Sequence, residues 1–185
     1  TGNVTNNAAL VFNRSNAHSI NNIISGSGSV TQSGAGTLTL AGINTYTGAT
    51  NVNTGTTLAI TGSIEDSSSI NVAGTGTLNV SGMSSNTLTL QSGQTLTGDG
   101  TVVGNLVIGD GSVLSPGNSP GTISSAGNVT YGSGGTYLWE IDDATGTEGV
   151  DWDLQDITGN LTVGSTNAAG NTFTLAITSL TSGGA

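Results

Sequence analysis

The sequence predicts an all-β fold, a right-handed parallel β-helix (solenoid) with coils of about 20 residues. Three observations lead to this prediction. Short apolar segments recur at a nearly constant spacing, each segment alternates polar and apolar residues, and glycine-rich turn sequences separate the segments. No segment of ten or more residues shows the 3.6-residue periodicity of an amphipathic helix, so helices are not expected.

The repeat is clearest in five aligned segments. The first, residues 36–40 (GTLTL), is followed 20 residues later by residues 56–60 and after 20 more by residues 76–80. Residues 94–97 and 111–114 continue the series at spacings of 18 and 17 residues. A β-sandwich, the alternative for an all-β chain, has strands about 8–12 residues apart and does not require this recurrence. The recurrence therefore favours a solenoid.

Alternation within each segment predicts short strands with one buried face. Leu38, Leu58 and Leu78 share one place in the repeat and are predicted to form one buried column, with Thr39 and Thr57 facing outward. Further segments of the same kind lie between them: Ile70/Val72, Leu88/Leu90 and Leu106/Ile108. Each coil is therefore expected to hold at least two strands, and the chain length predicts about eight or nine coils.

Composition excludes several classes of function. Only 6% of residues are charged, the formal net charge is −10, and Arg14 is the single Lys or Arg. Nucleic-acid binding needs clustered basic residues, so neither nucleic acid nor anionic lipid is an expected partner. No apolar run approaches the roughly 20 residues that span a bilayer, so direct membrane insertion is not expected. Without cysteine there is no disulfide framework, and residues 1–185 are interpreted as a single β-helix segment.

Two stretches carry a family resemblance. Residues 26–48 read GSGSVTQSGAGTLTLAGINTYTG and resemble the autotransporter-associated β-strand repeat, with Gln32 where Lys is usual. Residues 114–122, LSPGNSPGT, resemble a turn common in the passenger domains of autotransporters. The resemblance implies an extracellular protein, or one displayed at the bacterial cell surface and anchored in the outer membrane through parts outside this chain. It does not imply one activity, because such stems carry adhesins, proteases and toxins alike.

An acidic stretch interrupts the repeat within residues 137–160. Seven of the 11 acidic residues lie between Glu140 and Asp156, and Trp139 and Trp152 flank most of them. We interpret this region as a solvated loop that joins two strands, and predict no metal or other cofactor. Because Ca²⁺ binds several oxygen ligands, four of these carboxylates are weak candidates for a cation site. They are Asp142, Asp143, Asp151 and Asp153.

No catalytic residue is predicted. His18 is the single histidine, no serine stands out as its nucleophile, and we expect His18 at the surface of a coil. Paired carboxylates can hydrolyse a glycosidic bond, but Arg14 is far in sequence from the acidic stretch. Tyr137 and Trp139 alternate with polar or outward positions, which indicates an inward aromatic face; a platform for stacking sugar rings is the alternative.

The leading functional prediction is a non-catalytic structural or adhesive stalk of a secreted or surface-displayed autotransporter-type protein. A self-assembling subunit of an extracellular filament and a glycan-binding or glycan-cleaving β-helix are the alternatives. Neither residues 1–5 nor residues 173–177 contain a charged residue that would block strand pairing, and residues 181–185 are expected to be flexible. The expected partners are therefore adjoining β-helix coils of a longer chain or neighbouring subunits, with host or matrix glycan or protein as a further class.

Overall fold

A computed structural model describes residues 2–117, 119–165 and 172–180. Thr1, Asn118 and residues 181–185, on which some of the predictions above fall, lie outside the described residues. The described residues form 22 strands and no helix, and hence no helix that could span a membrane. Every pairing between two of these strands is parallel, and each partner lies in the next coil, as the solenoid prediction requires.

Two long sheets form two sides of the solenoid. The first face has eight strands: β2 (Ala9–Phe12), β5 (Ser29–Gln32), β8 (Thr50–Val52), β10 (Ser69–Val72), β13 (Thr95–Gly98), β16 (Val113–Pro116), β19 (Thr136–Ile141) and β22 (Thr174–Ser179). The second face has seven: β3 (His18–Ile20), β6 (Leu38–Leu40), β9 (Thr57–Ile60), β11 (Thr77–Asn79), β14 (Thr101–Val103), β17 (Thr122–Ala126) and β20 (Leu154–Ile157).

The third side is divided into two separate sheets. The early third sheet contains β1 (Val4–Thr5), β4 (Ile24–Gly26) and β7 (Thr45–Tyr46). The late third sheet contains β12 (Thr87–Leu90), β15 (Asn105–Ile108), β18 (Val129–Tyr131) and β21 (Leu161–Val163). Between β7 and β12 the third side is made of turns, and only an isolated bridge from Ile43 to Ser63 extends the early sheet.

The solenoid has about seven turns, fewer than the eight or nine predicted. Leu10 pairs with Val30 at the expected interval of 20 residues. The interval rises to 26 residues where Ile70 pairs with Leu96, and to 38 where Tyr137 pairs with Leu175. Later coils are therefore longer than the repeat, because turns and an excursion are inserted at their corners.

The predicted interior column is confirmed. Leu58 pairs with Leu38 on one side and with Leu78 on the other, and all three are buried. Thr57 and Thr39 occupy the alternate, outward positions of β9 and β6 and are only partly buried. Burial of like residues in consecutive coils produces one continuous narrow core along the axis.

Polar groups inside the solenoid are matched to backbone atoms at the corners. Gln32, at the place where the repeat usually has Lys, is buried and donates from Nε2 to the carbonyl oxygens of Gly34 at 2.8 Å and Gly36 at 2.6 Å. The hydroxyl of Tyr46 lies 2.6 Å from that of Thr50. Within the described ranges no buried side-chain nitrogen or oxygen lacks a hydrogen-bond partner. A core of this kind holds each corner in one geometry.

Candidate functional site

The acidic stretch is a folded excursion from one corner of the solenoid. It leaves the first face after β19 and returns at β20. Isolated bridges join Trp152 to Ile141 and to Glu148, and the Asp142 N–H donates to the Asp151 carbonyl at 2.7 Å. The excursion therefore closes on itself before the chain rejoins the second face.

Asp153 is buried at the base of this excursion, with 2% of its surface exposed. Its Oδ1 accepts the backbone N–H of Gly121 at 2.9 Å, and its Oδ2 accepts that of Glu140 at 2.9 Å. Its carbonyl oxygen accepts the indole N–H of Trp139 at 2.6 Å. One residue thus ties together the end of β19, the excursion and the corner before β17. The prediction of a solvated loop is wrong for Asp153, because these strand-end N–H groups need an acceptor inside the corner.

Two opposing effects act on the pKa of Asp153. Removal of the carboxylate from water raises the pKa, and the repulsion from Glu140 adds to that effect. The hydrogen bonds from Gly121 and Glu140 act in the opposite direction, and the net result is a pKa above the ordinary aspartate value. Its position within hydrogen-bonded backbone marks Asp153 as a structural group.

The other three candidate cation ligands serve their own turns or face solvent. Asp143 accepts the backbone N–H and the hydroxyl of Thr145, both at 2.8 Å, and these bonds lower the pKa of this exposed carboxyl. Asp151 accepts the N–H of Thr147 at 2.6 Å, and Asp142 is exposed. In the part of the chain that the structure describes, no three acidic or histidine side chains lie close enough to hold a metal ion. The four candidates are not brought together.

The basic residues lie at the opposite end of the solenoid. His18 pairs with Leu38 on the second face, so its ring occupies an inward position and is half-buried, where a surface position was expected. Exposed Arg14 donates to Asn16 at 3.1 and 3.2 Å. The first face separates both residues from the acidic excursion by the strands from β5 to β16. Neither basic residue can therefore act together with the acidic stretch.

An aromatic groove of about 460 Å³ lies in the last described coils. Tyr131 stacks on Phe173 with ring centres 4.3 Å apart and nearly parallel planes, and its hydroxyl donates to Gln155 at 2.6 Å. Burial raises the pKa of Tyr131 to about 12 and also raises that of Tyr137. Tyr137 is buried and pairs with Leu114, so the predicted inward face is confirmed at this position. The rest of the groove is largely aliphatic, which suits apolar contact better than sugar hydroxyls.

The aliphatic part of the groove belongs to the end face of the solenoid. Leu175 continues the column of Leu114 and Tyr137 but is 54% exposed. Val163 and Ile177 continue the columns of Tyr131 and Trp139 and are also exposed. We call the edges and inward side chains of β20, β21 and β22 the C-terminal face. Sequence patterning predicts these residues as core, and the structure leaves them uncovered.

Comparison with known proteins agrees with this architecture. Residues 30–60 match the family described as passenger-associated-transport-repeat. An extracellular serine protease of Serratia marcescens is 38% identical over 122 residues, which is 66% of this chain and 10% of that protease. The matching region is thus a small part of the protease. No solved structure matches the chain significantly.

Fold and repeat together define the class: this chain is a parallel β-solenoid built of passenger repeats. The repeats are those of autotransporter passengers, as the resemblance at residues 26–48 predicts.

Proposed function

We propose that this chain is a non-catalytic stem segment of an autotransporter-type passenger, which holds an adhesive or effector part away from the cell. Its place is outside the cell or on the bacterial surface, with the outer-membrane anchor in another part of the protein. The observation that carries the proposal is the unbroken first face, in which eight strands pair in parallel from β2 to β22. At a strand spacing of about 4.8 Å, eight strands span roughly 34 Å along the axis.

The interior supports a stiff stem. Inward columns are apolar and fully packed in the middle coils, and the buried amides of Gln32, Asn44 and Gln94 bind backbone carbonyls at the corners. Each coil contacts its neighbours through several sheets at once, so bending would break backbone pairs on more than one side. Such a rod separates its two ends by a distance that the number of coils sets.

The outer surface supports a stem more than an enzyme. Outward positions of the second face carry small uncharged residues, among them Thr57, Thr77 and Thr101 in one register column. Described acidic groups lie in turns, in the excursion or at Asp156, and the described bases are at the far end. Proteolysis by the Serratia relative is not transferred to this chain, because the match covers only 10% of that protein.

The proposal is tested by changing the number of coils. Residues 51–70 form one repeat, since Thr50 and Ile70 occupy equivalent positions in adjacent strands. Deleting or duplicating them in the native protein should change the length of the displayed stem by about 4.8 Å per coil. Electron cryotomography of cells and small-angle scattering of the secreted protein measure this length for zero, one, two or more added copies.

A matched control replaces residues 51–70 by residues 31–50, which keeps the number of coils and should leave the length unchanged. Loss of a binding or hydrolytic activity in this control, with the length preserved, would contradict a purely structural role. A length that does not follow the number of coils would contradict the stem.

A further inference from the structure

The C-terminal face carries the chemistry of an uncompleted coil interface. Val129 is fully buried, but Leu161, its partner in the next coil, is exposed. Leu175 and Ile177 repeat this change on the first face, with 54% and 63% of their surfaces exposed. In every earlier pair of coils, the next strand covers the corresponding inward side chains. Apolar side chains in register at a sheet edge are recognised by a further strand in the same register.

A side-chain ladder at one corner points the same way. Asn105 accepts the backbone N–H of Asn128 at 3.0 Å, and Asn128 accepts that of Asn160 at 2.9 Å. Each carboxamide thus receives the N–H of the following coil. Within the described ranges no N–H reaches the carboxamide oxygen of Asn160, which occupies the next step. The C-terminal face therefore offers an acceptor as well as an apolar surface to a following backbone.

We propose that the C-terminal face binds a further coil of the late kind, with strands parallel to β20, β21 and β22, supplied by the same polypeptide. This inference rests on the proposed stem function and specifies what extends the stem. The choice of occupant depends on the difference between early and late coils, which excludes the N-terminal face of a second copy.

Early and late coils have different cross-sections. In early coils the third strand has two or three residues, and residues 27–28 or 47–49 link it to the first face. In late coils it has three or four residues, and links such as residues 109–112 and 132–135 are longer. Where the two kinds meet inside this chain, β7 and β12 do not pair and turns fill the gap.

Head-to-tail stacking of two copies would recreate that mismatch. It would place β1, an early strand, against β21, a late strand, and would leave β21 and its apolar side chains without a partner. A following late coil covers all three edges. The geometry thus disfavours the filament alternative and favours continuation of the stem.

Thiol labelling tests the proposal, because the chain contains no cysteine of its own. Ile177→Cys reports on the C-terminal face, and Ile43→Cys is a matched control, since Ile177 and Ile43 are 63% and 62% exposed. In the 185-residue chain, a maleimide should modify both variants at similar rates. In the native protein, Cys at position 177 should react at least about tenfold more slowly than Cys at position 43, because burial under a coil allows reaction only on local opening.

Val163→Cys repeats the measurement on the late third sheet, so the result does not depend on one variant's folding. Equal rates at positions 177 and 43 in the native protein would overturn the proposal while leaving the stem length, and hence the proposed function, intact. Protection of position 177 in the 185-residue chain that grows with concentration, together with a doubled mass in ultracentrifugation, would assign the face to a second copy instead.

Discussion

The carboxylate of Asp153 accepts the backbone N–H of Gly121 at 2.9 Å, across 32 residues of sequence. This bond and its partner to Glu140 fix the point at which the acidic excursion rejoins the solenoid. A residue that composition alone would assign to solvent is therefore part of the scaffold.

Asp153→Ala should destabilise the chain by about 2–3 kcal/mol, because two backbone N–H groups at a buried corner lose their acceptor. Asp143→Ala is the matched control: that carboxylate is exposed and bonds only to Thr145, so no measurable loss is expected. Urea denaturation of both variants measures the change in unfolding free energy. Equal effects at the two positions would refute the structural role of Asp153.

All three tyrosines should titrate above the ordinary tyrosine pKa of about 10. Burial raises the pKa of Tyr46 and of Tyr131 to about 12, and that of Tyr137 further. A folded-state pKa above the unfolded value means that the stability contributed by these groups is complete below about pH 10 and is lost as pH rises towards about 12.

Ultraviolet absorbance of tyrosinate measures this titration directly. At about pH 10.5 the folded chain should show little tyrosinate, whereas the chain in concentrated denaturant should be more than half ionised. Tyr46→Phe should remove part of the alkaline loss of stability. A folded chain that titrates with an ordinary midpoint would show that these rings are accessible to water.

The interior column should dominate stability. Leu58→Ala should cost about 2–5 kcal/mol, the usual range for a buried leucine, because Leu58 is 0% exposed between Leu38 and Leu78. Thr57→Ser, one position away on the outward side, should cost little. Chemical denaturation compares the two, and similar small losses at both positions would disprove the inward assignment of Leu58.

Metal removal should leave stability unchanged. The acidic side chains of the excursion either accept N–H groups of their own turns or point into solvent, so no site needs a cation to relieve repulsion. We expect a chelator to shift the melting temperature by no more than about one or two degrees. A large fall that Ca²⁺ reverses would establish a structural cation site.

Patterning along the sequence predicts the regular part of the structure well. The alternation around Leu38, Leu58 and Leu78 determines strand, face and register together, because a shift by one residue would expose the whole column. Tyr137 is correctly placed inward for the same reason.

The irregular corners could not be derived in this way. The division of the third side depends on how the turns around Ser63 and Asn86 pack, and no periodic signal encodes that. His18 has an inward place only through its pairing with Leu38. Asp153 has the same local composition as its exposed neighbours, and only its contact with Gly121, distant in sequence, distinguishes it.

The central claim is that each coil adds one strand spacing along the axis, whatever its length in residues. Val11, Thr31, Asn51, Asn71, Thr97 and Ser115 occupy one outward column of the first face. Pairs of nitroxide labels, one at Val11 and the other at Asn71, Thr97 or Ser115, measure this spacing by pulsed electron paramagnetic resonance. The three distances should increase in equal steps of about 4.8 Å, although the intervals are 26 residues from Asn71 to Thr97 and 18 from Thr97 to Ser115. Steps that are unequal, or that reverse direction as in a sandwich, would contradict the solenoid.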